Sequence, residues 1–337
     1  MAIRIAFIGF RHSHIFDLYS RANASADFEV VAACEEDDET RKQLNESMRA
    51  RITHDNLDKM LDEVECDAVA VGDYYGKRGS IIIRALESGK HVISDKPICT
   101  SFDELDKINM LSIEKQLKVG CMLDLRDKGQ FIRAHELIHT GAIGEVHGVI
   151  VYGQHPLLFG TRPAWYFEEG KHGGTINDIG IHAFDLIPWA TGLEWSQIVA
   201  ARSWNAFATQ TPHFRDAGQF MLKLSNDGGV IGDVSYFMPN SLGYTLDFYW
   251  RMTFFGREGI IETSSAAKSI MLAKDGNKEP EMLPPAKDNP GGYLRSFAEE
   301  VLHGKTEGLS TEDVLRASYV ALLTQRAGDE GLFGIEI

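Results

Sequence analysis

The stretch Ile3-Arg4-Ile5-Ala6-Phe7-Ile8-Gly9-Phe10 decides how this chain is read. A short apolar run, broken only by Arg4, ends at a glycine. An amphipathic segment with Ile15, Leu18, Tyr19 and Ala22 follows, so the spacing predicts a strand, a tight turn and a helix. The pattern then repeats. FEVVAAC (28–34) and DAVAVG (67–72) read as strands, as do His91 to Ser94 and Leu117 to Cys121. Helical segments fall at Leu57 to Val64, Ile81 to Leu86 with Gly89 as stop, and Ser101 to Leu111. Buried strands alternating with helices predict a doubly wound parallel sheet of the Rossmann type over residues 1–123.

From residue 124 the texture changes. Phe131 to His139 and Gly173 to Gly192 read as helical. Strands are expected at 146–154, 197–205, 219–224, 230–237, 248–255 and 260–263. Asn226-Asp227-Gly228-Gly229 is a hairpin signal between two of them, and Phe248, Trp250, Met252 and Phe254 alternate with their neighbours. Ser310-Thr311-Glu312-Asp313 has the form of a capping box for a last helix stopped by Gly328. Residues 124–337 are therefore expected to form an α/β domain with a large, open, mostly antiparallel sheet.

Composition narrows the function. The 337 residues carry 34 Lys+Arg against 49 Asp+Glu, a formal net charge of −15. Nucleic acid and anionic membrane both need a basic surface, so neither is an expected partner. No apolar run approaches the roughly 18 residues of a membrane span, and the first residues lack the form of a signal peptide. Cys34, Cys66, Cys99 and Cys121 are widely spaced, as for reduced thiols in a cytoplasmic protein.

A first strand, a glycine turn, a helix and an acid closing the second strand form the dinucleotide layout. Glu35 follows Gly9 by 26 residues, and Glu36, Asp37 and Asp38 extend the acidic run. Those acids would repel a 2′-phosphate, which favours NAD over NADP; the other reading makes them a solvated turn. Arg11 and His14 stand where a G-x-G-x-x-G fingerprint has its second and third glycines, and Arg11 could bind the diphosphate as a cation. His12 and His14 lack a third ligand of obvious spacing, so no metal is expected.

In GGTINDIGIHAFD (173–185), a helix from about Asn177 would put Asp178, His182 and Asp185 on one face. A carboxylate one turn from an imidazole suits proton transfer. The competing reading has Asp178 capping the helix and His182 as a satisfied core histidine.

Together the motifs AFIGF with Glu35, ALESGKHVISDKP, ELIHTGAIGEVHGV, HGGTINDIGIHAFDL and FGREGIIE resemble the Gfo/Idh/MocA oxidoreductases over nearly the whole chain. The resemblance implies a Rossmann domain followed by an α/β domain whose open sheet forms homo-dimer or homo-tetramer contacts. It implies hydride transfer between NAD and a carbon of a sugar, polyol or sugar acid. It gives Lys96 the role of binding and polarising the reacting hydroxyl, and the pair Asp178 and His182 that of acid and base. Gly9, Phe10, Arg11, His12, Glu35, Asp73 and Lys96 fall on the cofactor positions. Asp73-Tyr74-Tyr75-Gly76 replaces the family's frequent T-P-N-like turn near the nicotinamide ribose, and Met122-Leu123-Asp124-Leu125 replaces its N-R-R-F stretch. Some relatives keep NAD bound and cleave glycosides or eliminate; a non-catalytic NAD-binding sensor is a further alternative.

In YGQHPLLFGTRPAWYF (152–167), His155, Arg162, Trp165 and Tyr166 form an aromatic and polar cluster. It suits a sugar ring, with Arg162 for a carboxylate. It equally fits a core-edge aromatic cluster with an ion-paired arginine.

Overall fold

The computed structural model describes Ala2–Ile337, which divides into two compact units. The first contains the chain up to Leu123 with Gly170–Gly173 and Gly291–Ser318. The second contains Asp124–Glu169, Gly174–Pro290 and Tyr319–Ile337.

In the first unit β1 (Ile3–Ile8), α1 (Ile15–Ala24), β2 (Phe28–Cys34), α2 (Asp38–Ser47), α3 (Leu57–Glu63), β3 (Ala68–Val71), α4 (Tyr75–Glu87), β4 (His91–Ser94), α5 (Phe102–Lys115) and β5 (Val119–Cys121) follow in order. The five strands form one sheet in the order β2-β1-β3-β4-β5, and every pairing is parallel. Strand β3 is buried throughout, as a sheet covered on both faces requires. The expected domain 124–337 differs from this division at two places, since Gly170–Gly173 and Gly291–Ser318 pack with the first unit. Helix α8 (Gly292–His303) explains the second of these. Its Phe297 ring lies where a Cβ on Gly120 would come within 2.9 Å, so the glycine in β5 admits the helix.

The second unit carries α6 (Gly129–His139), β6 (Val146–Tyr152), α7 (Ile181–Thr191), β7 (Trp195–Trp204), β8 (Ala217–Leu224), β9 (Gly229–Asp233), β10 (Arg251–Gly256), β11 (Gly259–Ser264), β12 (Ile270–Lys274), β13 (Glu281–Leu283) and, beyond α9 (Thr311–Glu330), β14 (Phe333–Glu336). Its nine strands run in the order β13-β12-β11-β10-β6-β9-β8-β7-β14. All pairings are antiparallel except β6 with β9. The sheet is thus mostly antiparallel, as expected, and α6 and α7 pack on each other in this unit.

Three local expectations are corrected. Phe248 to Trp250 precede the strand, which starts at Arg251; Trp250 takes φ 52, a left-handed backbone that breaks the alternation. The capping box at Ser310 forms, with Ser310 N donating to Asp313 Oδ2 and Asp313 N donating to Ser310 Oγ. However, α9 continues past Gly328 to Glu330 and stops before Gly331, which has φ 70. Ile176–Gly180 is a π-helix, not the first turn of an α-helix.

Candidate active site

The turn after β1 is built by glycine. Gly9 has φ +79, and a Cβ there would lie 2.6 Å from Cβ of Asp73. Gly9 O accepts from Asp73 N at 3.1 Å, which locks this turn to the one after β3. Both turns therefore sit at the carboxyl edge of the parallel sheet, where open α/β sheets bind ligands.

Glu35 is fully buried against this turn. Its Oε2 accepts from Phe10 N at 2.6 Å and its Oε1 from Asp37 N at 2.8 Å. Burial pushes its carboxyl upward, against the pull of those two amides. Each oxygen retains a lone pair beyond these bonds. Phe10 is buried, its ring 5.7 Å from Phe16 and 6.0 Å from Tyr19. Arg11, which the sequence offers as a cation for a diphosphate, is ion-paired in the first unit. Its Nε lies 2.7 Å from Asp73 Oδ1 and its Nη2 2.9 Å from Asp73 Oδ2, with the guanidinium over the Tyr74 ring. The carboxylate already balances its charge.

Lys96 follows β4 and is buried, with Nζ 5.9 Å from the centre of the Tyr75 ring. Beside it, Asp95 is fully buried and faces three groups: Arg78 Nη2 at 2.7 Å, His12 Nδ1, and His14 Nδ1 at 3.2 Å. Burial alone would push the Asp95 carboxyl up. The Arg78 guanidinium, then His12, outweigh it and hold the group well below the ordinary carboxylate range. Burial lowers His12 to about 3, despite Asp95, so its imidazole is neutral and donates from Nδ1. Asp95 is also the third group that completes a possible metal cluster with His12 and His14. Spacing could not reveal it, because it is 83 residues from His12. Arg78 already supplies Asp95 with a buried positive charge, and a metal ion would have to share that carboxylate with it.

In the second unit, Gln325 Oε1 accepts from Ile176 N at 2.8 Å and Asn177 N at 3.2 Å, so α9 caps the π-helix. Such π turns are rare and concentrate at functional sites. Asp178 lies in this turn, buried, and its Oδ2 accepts from the Tyr236 hydroxyl at 2.5 Å. Burial, reinforced by the Asp178 carboxylate, holds that phenol well above its ordinary value, so Tyr236 remains the donor. His182 lies in the first turn of α7, four residues on, its ring 4.9 Å from Trp250 in an edge arrangement. Asp185 is taken up elsewhere, by Arg126 Nε at 2.9 Å and Nη2 at 2.5 Å.

The expected sugar-facing residues divide. The His155 ring packs 5.7 Å from Trp250 and 6.0 Å from Tyr236, which brings it to the neighbourhood of Asp178 and His182. Arg162 donates to Leu157 O and Pro156 O, both at 2.9 Å, and lies over the rings of Tyr166 and Tyr236. It shapes a loop with those bonds. Trp165 stacks on Tyr166 at 4.1 Å, and both are buried. Arg78, Tyr236 and Trp250 carry no spacing signal; only their partners, distant in sequence, give them roles.

Residues 3–123 match the oxidoreductase family with an NAD-binding Rossmann fold, and residues 131–262 match the GFO/IDH/MocA C-terminal domain. An uncharacterised oxidoreductase of Schizosaccharomyces pombe is 27% identical over 134 residues, 40% of this chain and 36% of that protein. The chain spans less than half the length of the first curated relatives it matches. The scyllo-inositol 2-dehydrogenase (NAD(+)) of Bacillus subtilis is 25% identical over 259 residues, 74% of this chain and 71% of that one. A crystal structure from Erwinia carotovora atroseptica shares the fold with a TM-score of 0.87 at 23% identity, covering 96% of this chain and 98% of that one. With one domain matched on each side of Leu123, the chain belongs to the GFO/IDH/MocA family of oxidoreductases.

Proposed function

We propose that this protein is an NAD-dependent dehydrogenase acting on a carbinol carbon of a sugar, polyol or sugar acid. The observation that carries the reading is Lys96, a buried lysine just past β4, in the parallel sheet whose first turn is the Gly9 cradle. When bound, the nicotinamide accepts or returns the hydride. His182 takes the hydroxyl proton, Asp178 holds the imidazole, and the Lys96 ammonium stabilises charge developing on oxygen. Similarity to a scyllo-inositol dehydrogenase supports polyols as the first substrates to try. The test is a panel of inositols, aldoses and sugar acids with NAD, followed by reduced-nicotinamide absorbance. Stoichiometric reduction with one class supports the reading. Product without net reduction would move the assignment to an eliminating or glycoside-cleaving enzyme that retains its NAD. Binding of NAD without any reaction would move it to a sensor.

Glu35, with Glu36, Asp37 and Asp38 beside it, supports NAD as the cofactor. Calorimetric titration is expected to show NAD binding at least about tenfold more tightly than NADP, or roughly 1.4 kcal/mol. Equal affinities would remove Glu35 from the cofactor assignment.

A second copy of this chain is the partner we propose for the large sheet. Ile150, Ile231 and Met221 stand in register across β6, β9 and β8, with Ile231 51% and Met221 43% exposed. Phe255 on β10, next to β6, and Met282 on the edge strand β13 add exposed apolar area in the same sheet. Patches of this kind mark interfaces. Ile231→Glu is expected to lower the mass measured by light scattering at micromolar concentration, and an unchanged mass would place the contact elsewhere. Among the described residues no helix is long and apolar enough to cross a membrane. The four cysteines are buried and, among the described residues, none is joined in a disulfide, which supports a cytoplasmic location.

A further inference from the structure

One side chain joins the turn after β3 to the turn after β4. Arg78, on α4, is fully buried, and all five guanidinium N–H groups have acceptors within the first unit. Nε donates to Gly72 O at 2.8 Å. Nη2 donates to Asp73 O at 3.1 Å and to Asp95 Oδ2 at 2.7 Å. Nη1 donates to Lys96 O and, at 3.2 Å, to Pro97 O. The other carboxylate oxygen of Asp95 accepts from Lys96 N at 2.7 Å. The Lys96 main chain is therefore held on both its N–H and its C=O by the two members of one buried ion pair.

We infer that Arg78 is a positioning residue for Lys96, with Asp95 as its counterpart. This rests on the dehydrogenase reading, in which Lys96 meets the reacting oxygen. The planar fork of a guanidinium can reach four carbonyls and a carboxylate at once, which the single ammonium of a lysine cannot. The aromatic side strengthens the case. Tyr75, one turn before Arg78, has the guanidinium 4.6 Å from its ring centre and Lys96 Nζ 5.9 Å from it. The same ring thus lies beside both cations, and a shift of one is felt by the other. The bonds to Gly72 and Asp73 extend the device to the turn locked to Gly9.

The test compares wild type with Arg78→Lys, which keeps the positive charge and removes the fork. Intact protein is treated with limiting acetic anhydride, and mass spectrometry gives the acetylation rate of each lysine. Lys96 is expected to be acetylated at least fivefold faster in Arg78→Lys, while Lys77 and Lys118, partly buried in the same unit, stay within twofold. A purely structural role for Arg78 would raise all three alike, and either that result or an unchanged Lys96 rate overturns the inference. Should Arg78→Lys fail to fold, Asp95→Asn reads the same ion pair from its other end, with the same outcomes. Turnover is measured separately on the polyol panel, where Arg78→Lys is expected to lower kcat at least tenfold with KM for NAD within threefold. A wild type inert to every inositol, aldose and sugar acid of the panel would refute the dehydrogenase reading while leaving the acetylation result to judge Arg78.

Discussion

Lys96→Met is expected to slow single-turnover hydride transfer by at least two orders of magnitude while NAD affinity stays within about threefold. Methionine keeps the unbranched apolar stem that fills the space beside Tyr75 and removes only the ammonium. The Lys96 main chain remains tied to Arg78 and Asp95, so the turn keeps its shape. In the proposed dehydrogenase mechanism, what disappears is the positive charge that meets an oxygen becoming alkoxide-like. Removing one such preorganised group typically lowers rate by about 10²–10³-fold, or about 2.7–4 kcal/mol. The measurement mixes NAD-loaded enzyme with the polyol identified from the panel and follows one turnover, with calorimetry for NAD. A rate near wild type would falsify the role given to Lys96, whatever family the chain belongs to.

The second large effect concerns proton removal. His182→Ala is expected to cut turnover by about 10²–10⁴-fold, the usual contribution of general acid–base catalysis. Asp178 would keep its bond from Tyr236, so the carboxylate stays in place and cannot move into the vacated position without breaking it. The substitution also opens a space at the edge of Trp250, against which the imidazole packs. Imidazole added to the assay is therefore expected to restore part of the lost rate in a concentration-dependent way. A variant that folds, shown by circular dichroism, and turns over within tenfold of wild type would return His182 to an ordinary core histidine.

The parallel sheet was legible because its strands are continuous apolar runs bounded by glycine and acids, a pattern that burial on both faces requires. Helix α2 was not, since among its residues only Leu44 is buried and no apolar stripe marks it. Phe248 to Trp250 misled for the opposite reason. Alternating aromatics imitate a strand, yet Trp250 is buried by turning the backbone left-handed. The double glycine of the 173–185 motif has a plain cause visible only in three dimensions. A Cβ on Gly173 would lie 2.2 Å from Thr100, and one on Gly174 would lie 2.2 Å from Gln325. For the proposed site, Lys96, Asp178 and His182 were named from local motifs and from the family resemblance those motifs carry. Arg78 and Tyr236 act on groups at sequence separations of 18 and 58 residues, which no spacing rule covers. The ion pair of Arg11 with Asp73, 62 residues away, likewise carries no spacing signal.

The return of Gly291–Ser318 to the first unit sets a timetable for synthesis. Strand β5 ends at Cys121, but Val119 N bonds to Thr311 Oγ1 across 192 residues of sequence, and Gly120 is covered by Phe297. At about 5–20 residues per second, the ribosome adds those 192 residues in roughly 10–40 s. Throughout that interval the β4–β5 side of a sheet already complete in its strands has no native cover. The nascent chain is then most open to mispairing and to holding by chaperones, and a fragment ended at Leu123 would keep that exposed side permanently.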